Sequence, residues 1–262
     1  MYDFEYQRAI SVDDALKKHA DSEDARFLAG GMTLVPVLKQ RLDQPSNVVD
    51  LGDLADMRGI SQEGNAIIIK AMTTHHAVNS SELVMSKIPA LAHLAGTIGD
   101  HMVRNRGTIG GSLANSDPAA SYPSAVLALN ATIITNNREI AADDFFTGMF
   151  DTALEEGELI LSVSFPIPEE AGYKHFPNPA SRYPIVGSFV AKTSNGVRVA
   201  ITGAGPCAFR VDDFEDALTK KYNSEAIRDI KVSDEGLATD IHASAEYRAH
   251  LINVMTRRAI GE

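Results

Sequence analysis

The sequence predicts an α+β fold: a small βαβ unit, then a mixed α/β region, then a short antiparallel sheet with helices. The βαβ unit is indicated by short apolar runs at 26–29 and 48–51 with a helical pattern between them. Turn signals at 63–65 and 195–196 indicate hairpins farther along the chain. The composition changes at 166–170, PIPEE, which we interpret as a domain boundary. The predicted divisions are an N-terminal domain 1–168, with subdomains of about 1–56 and 57–168, and a C-terminal domain 169–262.

The composition is that of an acidic globular protein. Of 262 residues, 44% are hydrophobic and 23% are charged, and the net charge of −11 argues against nucleic acid as a partner. The single cysteine, Cys207, excludes an internal disulfide and an iron–sulfur cluster held by this chain's own thiolates. The first ten residues lack the pattern of a signal peptide, and the longest charge-free run, 118–137, contains two prolines and is not a membrane span. We therefore expect a cytoplasmic protein.

The first predicted element is a helix after Ser11, because Ser11 and Asp14 have the spacing of a helix-capping pair. The next predicted elements are a strand, a helix and a second strand, at 26–29, 32–42 and 48–51. Pro36 fits the start of that helix, where a missing N–H group is tolerated. Because a helix connects the two strands, we expect them to be parallel.

Beyond the βαβ unit the predicted strands form hairpins, because short turn sequences separate neighbouring runs. The predicted runs are 59–71 as one hairpin, 131–135 with 139–141, 159–165, and 186–192 with 196–202. A helix with an Ala/Leu face is predicted at 88–98, and helices are expected on one face of the C-terminal sheet. Thr73 or Thr74 is expected to cap one short helix, and Asp143 or Asp144 to cap another.

The run RNRGTIGGSLANSDPAASYP, residues 104–123, is the most informative stretch of the chain. It brings together three glycines and two hydroxyl side chains: Gly107, Thr108, Gly110, Gly111 and Ser112. A helical pattern follows at 119–129. Glycine allows close approach of backbone to a ligand, and free N–H groups ahead of a helix attract anions. The pattern favours a phosphate cradle, and a glycine-rich turn without a ligand is the alternative.

A second glycine run lies between the strand at 26–29 and the helix that follows it. Gly30-Gly31 ends the strand, Thr33 supplies a hydroxyl, and a helical pattern begins. Two such loops in one chain could hold the two phosphates of a dinucleotide. Neither loop matches GxxxxGK[ST] or GxGxxG, the usual nucleotide signatures.

Three segments of the chain together resemble one protein family: AGGMTLVP, RNRGTIGGSLANSDPAASYPSAVLAL and KHFPNPASRYPIVGSF. They are similar to the FAD-binding medium subunit of the molybdenum hydroxylases, which include the carbon monoxide dehydrogenases and the separate-subunit relatives of xanthine dehydrogenase. The resemblance covers essentially the whole chain. It implies a two-subdomain FAD-binding domain, with the isoalloxazine between the subdomains and both glycine loops along the pyrophosphate and ribityl chain.

The resemblance also implies which residues contact a non-covalently bound FAD. They are Leu28, Ala29, Gly30, Gly31, Met32, Thr33, Leu34, Val35, Ile98, Thr108, Ile109, Gly110, Gly111, Ser112, Asp117, Ser121 and Ile160. Asp117 fits either an acceptor for a ribityl or ribose hydroxyl or a local cap on the following helix. The xanthine dehydrogenase relatives have aspartate in place of Ser121 and lysine in place of Asn178, and the second departure argues against NAD as the electron acceptor.

The function that the resemblance implies is electron transfer by a flavoprotein subunit. It would take electrons from the [2Fe–2S] clusters of a small partner subunit and pass them through FAD to an external acceptor. A large subunit with a molybdenum cofactor would oxidise the substrate, and the family assembly is a dimer of such heterotrimers. This chain would supply no catalytic residue and no metal ligand.

Two alternatives remain open at this stage. One is a stand-alone FAD oxidase, which commonly bonds FAD through a histidine or cysteine that neither glycine loop contains. The other is a cofactor-free interaction module, which would leave both loops unexplained.

Two further motifs resemble binding sites, but their details argue against that function. The run GAGPCA, 203–208, fits a loose dinucleotide fingerprint, but Pro206 removes a backbone donor and Asp212 comes too early for the ribose carboxylate. His75 and His76 are adjacent and point in different directions, so they make a poor metal site.

Overall fold

The computed structural model describes residues 1–261. Its first layer is a parallel sheet of three strands in the order β1-β3-β2. The elements are β1 Glu5–Arg8, α1 Val12–Ala20, β2 Ala25–Leu28, α2 Leu34–Lys39 and β3 Asn47–Asp50. The βαβ unit and its parallel pairing are confirmed. Strand β1 was not predicted, because its residues EYQR are polar and mostly exposed.

Both helices of this layer begin and end for local reasons. The Ser11 hydroxyl accepts a hydrogen bond from the N–H of Asp14 at 3.0 Å, and the Asp14 carboxylate accepts one from the N–H of Ile10 at 2.9 Å. Helix α2 is shorter than predicted. Gly31 before it has φ +74° and Arg41 after it has φ +59°, so a left-handed residue lies beyond each end.

The second layer is an antiparallel sheet in the order β4-β5-β10-β6-β7, against which several short helices pack. Its helices and strands, with a small hairpin β8-β9, are β4 Ile60–Glu63, β5 Ala66–Lys70, α3 His75–Ser80, α4 Glu82–Lys87, α5 Pro89–Thr97, α6 His101–Arg106, α7 Ile109–Asn115, α8 Tyr122–Ala128, β6 Thr132–Thr135, β7 Glu139–Ala141, α9 Ala142–Phe145, β8 Phe146–Gly148, β9 Asp151–Thr152 and β10 Ile160–Pro166. The predicted hairpins and the strand at 159–165 are confirmed. Thr74 is the residue that caps α3.

The glycine-rich run at 107–112 differs from its prediction, because its residues 109–112 are helical rather than part of a loop. Helix α7 begins at Ile109 and includes Gly110 and Gly111, and the helix predicted at 119–129 begins only at Tyr122. Glycine normally disfavours a helix. Here Gly110 lies so close to Ala71, the residue after strand β5, that an added Cβ would come within 2.6 Å of the Ala71 Cβ.

The predicted cap of α9 is wrong. The helix begins after Ala141, and no side chain caps it. The Asp143 carboxylate instead accepts hydrogen bonds from Arg198 and Arg210 of the C-terminal part. A long-range ion pair therefore replaces the local cap.

The C-terminal part is an antiparallel sheet in the order β11-β12-β13-β14. Its elements are β11 Glu170–Pro177, β12 Pro184–Thr193, β13 Gly196–Thr202, β14 Phe209–Arg210, α10 Asp212–Lys220 and α11 Ala245–Ala259. The hairpin at 195–196 is confirmed, whereas β11 was not predicted. The run 203–208 leads into β14, antiparallel to β13, so no dinucleotide-binding βαβ unit follows it.

Among residues 1–261 the buried side chains form two clusters, and the α+β fold class is confirmed. The larger cluster joins both N-terminal layers and takes in Tyr173 and Phe189 of the C-terminal sheet. The smaller cluster lies between the C-terminal sheet and helices α10 and α11, around Phe214 and Ile252. The boundary at 166–170 lies at the β10–β11 connection and stays a prediction. Among residues 1–261, no helix combines the length and the apolar character needed to cross a membrane.

Candidate cofactor site

A cavity of about 530 Å³ lies where the two glycine runs meet. We name residues 29–34 the first glycine segment and residues 107–112 the second glycine segment. The wall also takes in the α5–α6 connection, the run 117–121 and the residues 181–184 that lead into β12. This volume is typical of small-molecule and cofactor sites.

The first glycine segment offers unpaired backbone donors. Within residues 1–261, none of the N–H groups of Gly30, Gly31, Met32, Thr33 and Leu34 donates a hydrogen bond. Thr33 precedes α2, and its hydroxyl makes no capping bond. Open donors at this place favour an anionic ligand, because they gain partners that the protein does not supply.

In the second glycine segment the N–H groups of residues 107 and 109–112 are paired within the protein, contrary to the free N–H groups that the sequence predicted, and among residues 1–261 only the Thr108 N–H of this segment lacks an acceptor. Each amide at the start of α7 already has an acceptor within the protein. The pairs are Ile109 N–H to Thr73 O at 3.1 Å, Gly110 N–H to Ala71 O at 2.9 Å, Gly111 N–H to Thr108 Oγ1 at 3.2 Å and Ser112 N–H to Thr108 O at 3.0 Å. This segment contributes the Ser112 hydroxyl and the Thr108 N–H to the cavity wall.

The two glycine segments touch each other, and at Gly30 the contact leaves no room for any side chain. A Cβ on Gly30 would lie 2.0 Å from the Arg106 carbonyl oxygen and 2.9 Å from the Gly107 Cα. A Cβ on Gly111 would lie 3.4 Å from the Ala29 Cβ and 3.0 Å from the Thr108 Oγ1. The cavity floor is therefore a close contact of two backbones that larger residues would push apart.

The structure brings most of the sequence-predicted site residues to this cavity. The predicted residues in its wall are Ala29, Gly30, Gly31, Met32, Thr33, Leu34, Ile98, Thr108, Gly111, Ser112, Asp117 and Ser121. The predicted residues outside its wall are Leu28, Val35, Ile109, Gly110 and Ile160. Leu28 and Val35 lie beneath Gly31, with side-chain atoms 3.2 and 3.0 Å from the place of an added Cβ. Ile109 and Ile160 are buried in the protein core.

Asp117 lies in the cavity wall and also has a local partner. Its Oδ1 accepts a hydrogen bond from the N–H of Ala119 at 2.8 Å, which is the turn geometry expected of a local cap. The pKa of the Tyr183 hydroxyl is raised, first by burial and then by the nearby Asp117 charge. The local role is thus present, and a ligand role for the other carboxylate oxygen stays a prediction.

The wall also contains Ser181, Arg182, Tyr183 and Pro184, to which the sequence analysis assigned no site role. Arg182 has φ +66°, and its Nη1 donates to the Gly99 carbonyl oxygen at 3.3 Å, which ties this loop to the α5–α6 connection. The contact joins residues 83 positions apart, so no local pattern could indicate it. Asn178 is buried outside the wall, where its Oδ1 accepts bonds from the N–H groups of Ala180 and Ser181.

Two arginines lie in the wall, and they differ in their partners. Arg26 is paired with Asp24 and Asp43 at 2.5 and 3.1 Å. In the described part of the chain, no carboxylate lies within salt-bridge distance of Arg182. Arg182 is therefore the cation of the wall that can balance an anionic ligand.

We expect Arg182→Ala to raise the FAD dissociation constant about tenfold, because it removes this cation and the bond to Gly99 together. Arg182→Lys keeps the positive charge, so its loss of FAD affinity should be smaller. Fluorescence titration of the apo chain with FAD measures both variants. Equal affinity in the alanine variant and the wild type would show that the loop plays no part in binding.

His75, which the sequence set aside, is also in the wall and is only 5% exposed. Burial, and secondarily the nearby Arg104 charge, lowers the pKa of its imidazole to about 4. The ring is therefore neutral at physiological pH. Among residues 1–261, no group of three or more His, Cys, Asp or Glu side chains is placed to hold a metal ion.

The buried imidazole predicts a pH-dependent stability of the apo chain. In the unfolded chain it binds a proton with a pKa near 6.5, whereas in the folded chain it does so only near 4. Between these values the unfolded state holds more protons, so the free energy of unfolding falls with falling pH, by up to about 3 kcal/mol. The fall in the urea midpoint between pH 7 and pH 4.5 should therefore be smaller in His75→Gln than in the wild type. The exposed neighbour variant His76→Gln should match the wild type, and an unchanged shift in His75→Gln would contradict the assignment.

Comparison with known proteins adds independent findings. A family model described as "FAD binding domain in molybdopterin dehydrogenase" matches residues 2–168. The chain is 34% identical to the glyceraldehyde dehydrogenase medium chain of Sulfolobus acidocaldarius, covering 99% of this chain and 98% of that one. It is 31% identical to the carbon monoxide dehydrogenase medium chain of Hydrogenophaga pseudoflava, covering 98% and 96%. A chain of quinoline 2-oxidoreductase from Pseudomonas putida 86 superposes with a TM-score of 0.90 at 30% identity, covering 99% and 96%.

Proposed function

The chain belongs to the family of FAD-binding domains of molybdopterin dehydrogenases, and on that premise we propose that it is the electron-transfer subunit of a heterotrimeric molybdenum hydroxylase. It is an FAD-binding oxidoreductase subunit. In the proposal it receives electrons from the [2Fe–2S] clusters of a small partner subunit and passes them to an external acceptor. The observation that carries the proposal is the row of unpaired amides in the first glycine segment, at the wall of a cofactor-sized cavity.

The residues of the cavity suit a dinucleotide in several ways. The unpaired N–H groups of residues 30–34 would hold the pyrophosphate, with Arg182 as the balancing cation. Ser112, Asp117 and Ser121 offer polar groups to hydroxyls of the ligand, and Leu34, Ile98 and Val103 give the wall an apolar part. When bound, FAD supplies the redox chemistry, and the protein supplies position and electrostatics.

The proposal of partner subunits is supported by the character of the relatives and by the composition. Three relatives are named medium chains, and another is named subunit alpha of a dehydrogenase complex. One cysteine cannot ligate an iron–sulfur cluster, which normally takes four. We therefore propose a small iron–sulfur subunit and a large molybdenum subunit as partners, in a dimer of heterotrimers in the cytoplasm.

We expect the native protein to co-purify with iron and molybdenum in constant proportion to FAD. The measurement is metal analysis and the visible spectrum across the elution peak. A native homo-oligomer with FAD, without metals and with substrate turnover of its own would favour a stand-alone oxidase. A colourless chain that binds no added FAD would refute both readings.

We also expect FAD to be released intact by acid or heat, because neither glycine segment contains a histidine or cysteine that could bond the flavin. The measurement is flavin absorbance in the supernatant after the protein has been precipitated. Flavin that remains in the pellet would show a covalent link and overturn this expectation.

A further inference from the structure

The imidazole of His75 has no hydrogen-bond partner, although it is almost fully buried. Its Nδ1 is inaccessible and unpaired, and within residues 1–261 no hydrogen bond is made by its Nε2. Only its backbone is engaged, through an N–H donated to the Gly107 carbonyl oxygen at 2.9 Å. A buried polar group without a partner lowers the stability of the folded chain. A ring kept in this position therefore indicates a functional role.

The edge of the ring that carries Nε2 faces the second glycine segment at the cavity wall. Nε2 and Cδ2 lie 2.6 and 2.8 Å from the place of a Cβ on Gly107, and both His75 and Gly107 line the cavity. The ring also packs on Tyr122, with centroids 5.4 Å apart. The Nδ1 side is therefore enclosed by protein, and the Nε2 side lies along the cavity wall.

The position of the single proton on the neutral ring follows from these surroundings. A neutral imidazole carries one N–H donor and one bare acceptor nitrogen. An enclosed N–H without a partner costs more than an enclosed bare nitrogen, because orphaned donors are rarer than under-satisfied acceptors in folded proteins. We therefore assign the proton to Nε2, which places a hydrogen-bond donor at the cavity wall.

We propose that His75 is a further FAD-contacting residue, whose Nε2–H donates a hydrogen bond to an acceptor oxygen or nitrogen of the bound cofactor. The inference rests on the proposed binding of FAD in this cavity. Phosphate oxygens, ribityl hydroxyls and flavin carbonyls share the required acceptor chemistry. The alternative is that His75 is only a packing support for Gly107, a role that a phenyl ring would also fill.

The test compares FAD affinity in four full-length proteins. His75→Phe keeps a planar ring and removes the donor, His75→Gln keeps an N–H donor, and His76→Phe is the exposed neighbouring control. We expect the FAD dissociation constant to rise about tenfold in His75→Phe, to stay within about threefold in His75→Gln and to be unchanged in His76→Phe. Wild-type affinity in His75→Phe would overturn the proposal.

If His75→Phe does not fold, nuclear magnetic resonance of the histidine ring nitrogens in the wild-type chain still tests the proposal. In the wild type we expect the Nε2–H tautomer and a shift of the His75 signals when FAD is added. The Nδ1–H tautomer, or signals that FAD leaves unmoved, would overturn the proposal. A wild-type chain that binds no FAD would instead refute the proposed function.

Titration with ADP in place of FAD locates the acceptor. A weaker ADP affinity in His75→Phe places the acceptor in the adenosine diphosphate half of the cofactor. A loss confined to FAD places it in the ribityl or isoalloxazine half. Either result supports the contact.

Discussion

Gly111→Asp is expected to abolish retention of FAD, with a loss of affinity of about 100-fold or more, equivalent to about 2.7 kcal/mol. Gly111 lies in the cavity wall, where a Cβ would lie 3.0 Å from the Thr108 Oγ1 and 3.4 Å from the Ala29 Cβ. A carboxylate there would fill the space between the two glycine segments. It would also place a negative charge beside the donors that we assign to the pyrophosphate.

The matched control is Gly111→Ala, because its single methyl needs only a small shift of the Thr108 side chain. Gly111 does not have a positive φ, so neither variant strains the backbone conformation. We expect the alanine variant to keep FAD with less than about a tenfold loss. FAD content after desalting and the melting temperature of the apo chain separate lost binding from lost folding. Equal FAD content in Gly111→Asp and wild type would remove this cavity as the cofactor site.

The parts of the site that the sequence predicted correctly are those fixed by neighbouring residues. A strand, Gly30-Gly31 and a helix start follow each other in the chain, and the structure has them in that order. The left-handed φ of Gly31 is likewise a local requirement that glycine meets. Sequence patterns report such local geometry well.

The parts that the sequence missed depend on contacts between distant residues. The helical state of Gly110 depends on its packing against Ala71, which propensity alone would argue against. Asp143 has the local pattern of a cap, but two arginines from the C-terminal sheet compete for its carboxylate. The role of His75 depends on its burial beneath Gly107, which a pair of adjacent histidines does not indicate.

The two glycine segments differ in whether their backbone N–H groups are already paired. From the sequence they look equivalent, each with glycines and a hydroxyl before a helix. In the structure the amides of α7 are used to dock it on the chain at Ala71 and Thr73, whereas those of residues 30–34 are open. The first segment therefore carries most of the open donors, and the second, apart from the Thr108 N–H, fixes the shape of the cavity against it.

Gly30→Ala is expected to destabilise the chain by about 3 kcal/mol and to lose FAD as well, because the two glycine segments can no longer touch. Gly30 does not have a positive φ, so alanine is compatible with its backbone conformation. The entire effect comes from a clash, with the added Cβ 2.0 Å from the Arg106 carbonyl oxygen and 2.7 Å from its carbon. Both atoms belong to backbone, which cannot rotate away as a side chain would.

The matched control is Gly148→Ala, in the β8–β9 hairpin. A Cβ on Gly148 would meet only the Asp151 Cβ, at an ordinary 3.7 Å, and Gly148 also lacks a positive φ. We expect that control to stay within about 0.5 kcal/mol of the wild type. Urea unfolding of the apo chains gives both free energies, and FAD content of the loaded chains gives the binding result. A Gly30→Ala chain with wild-type stability and wild-type FAD content would mean that the two segments do not form the floor of the site. A chain that is destabilised but still binds FAD tightly would separate the backbone contact from cofactor binding.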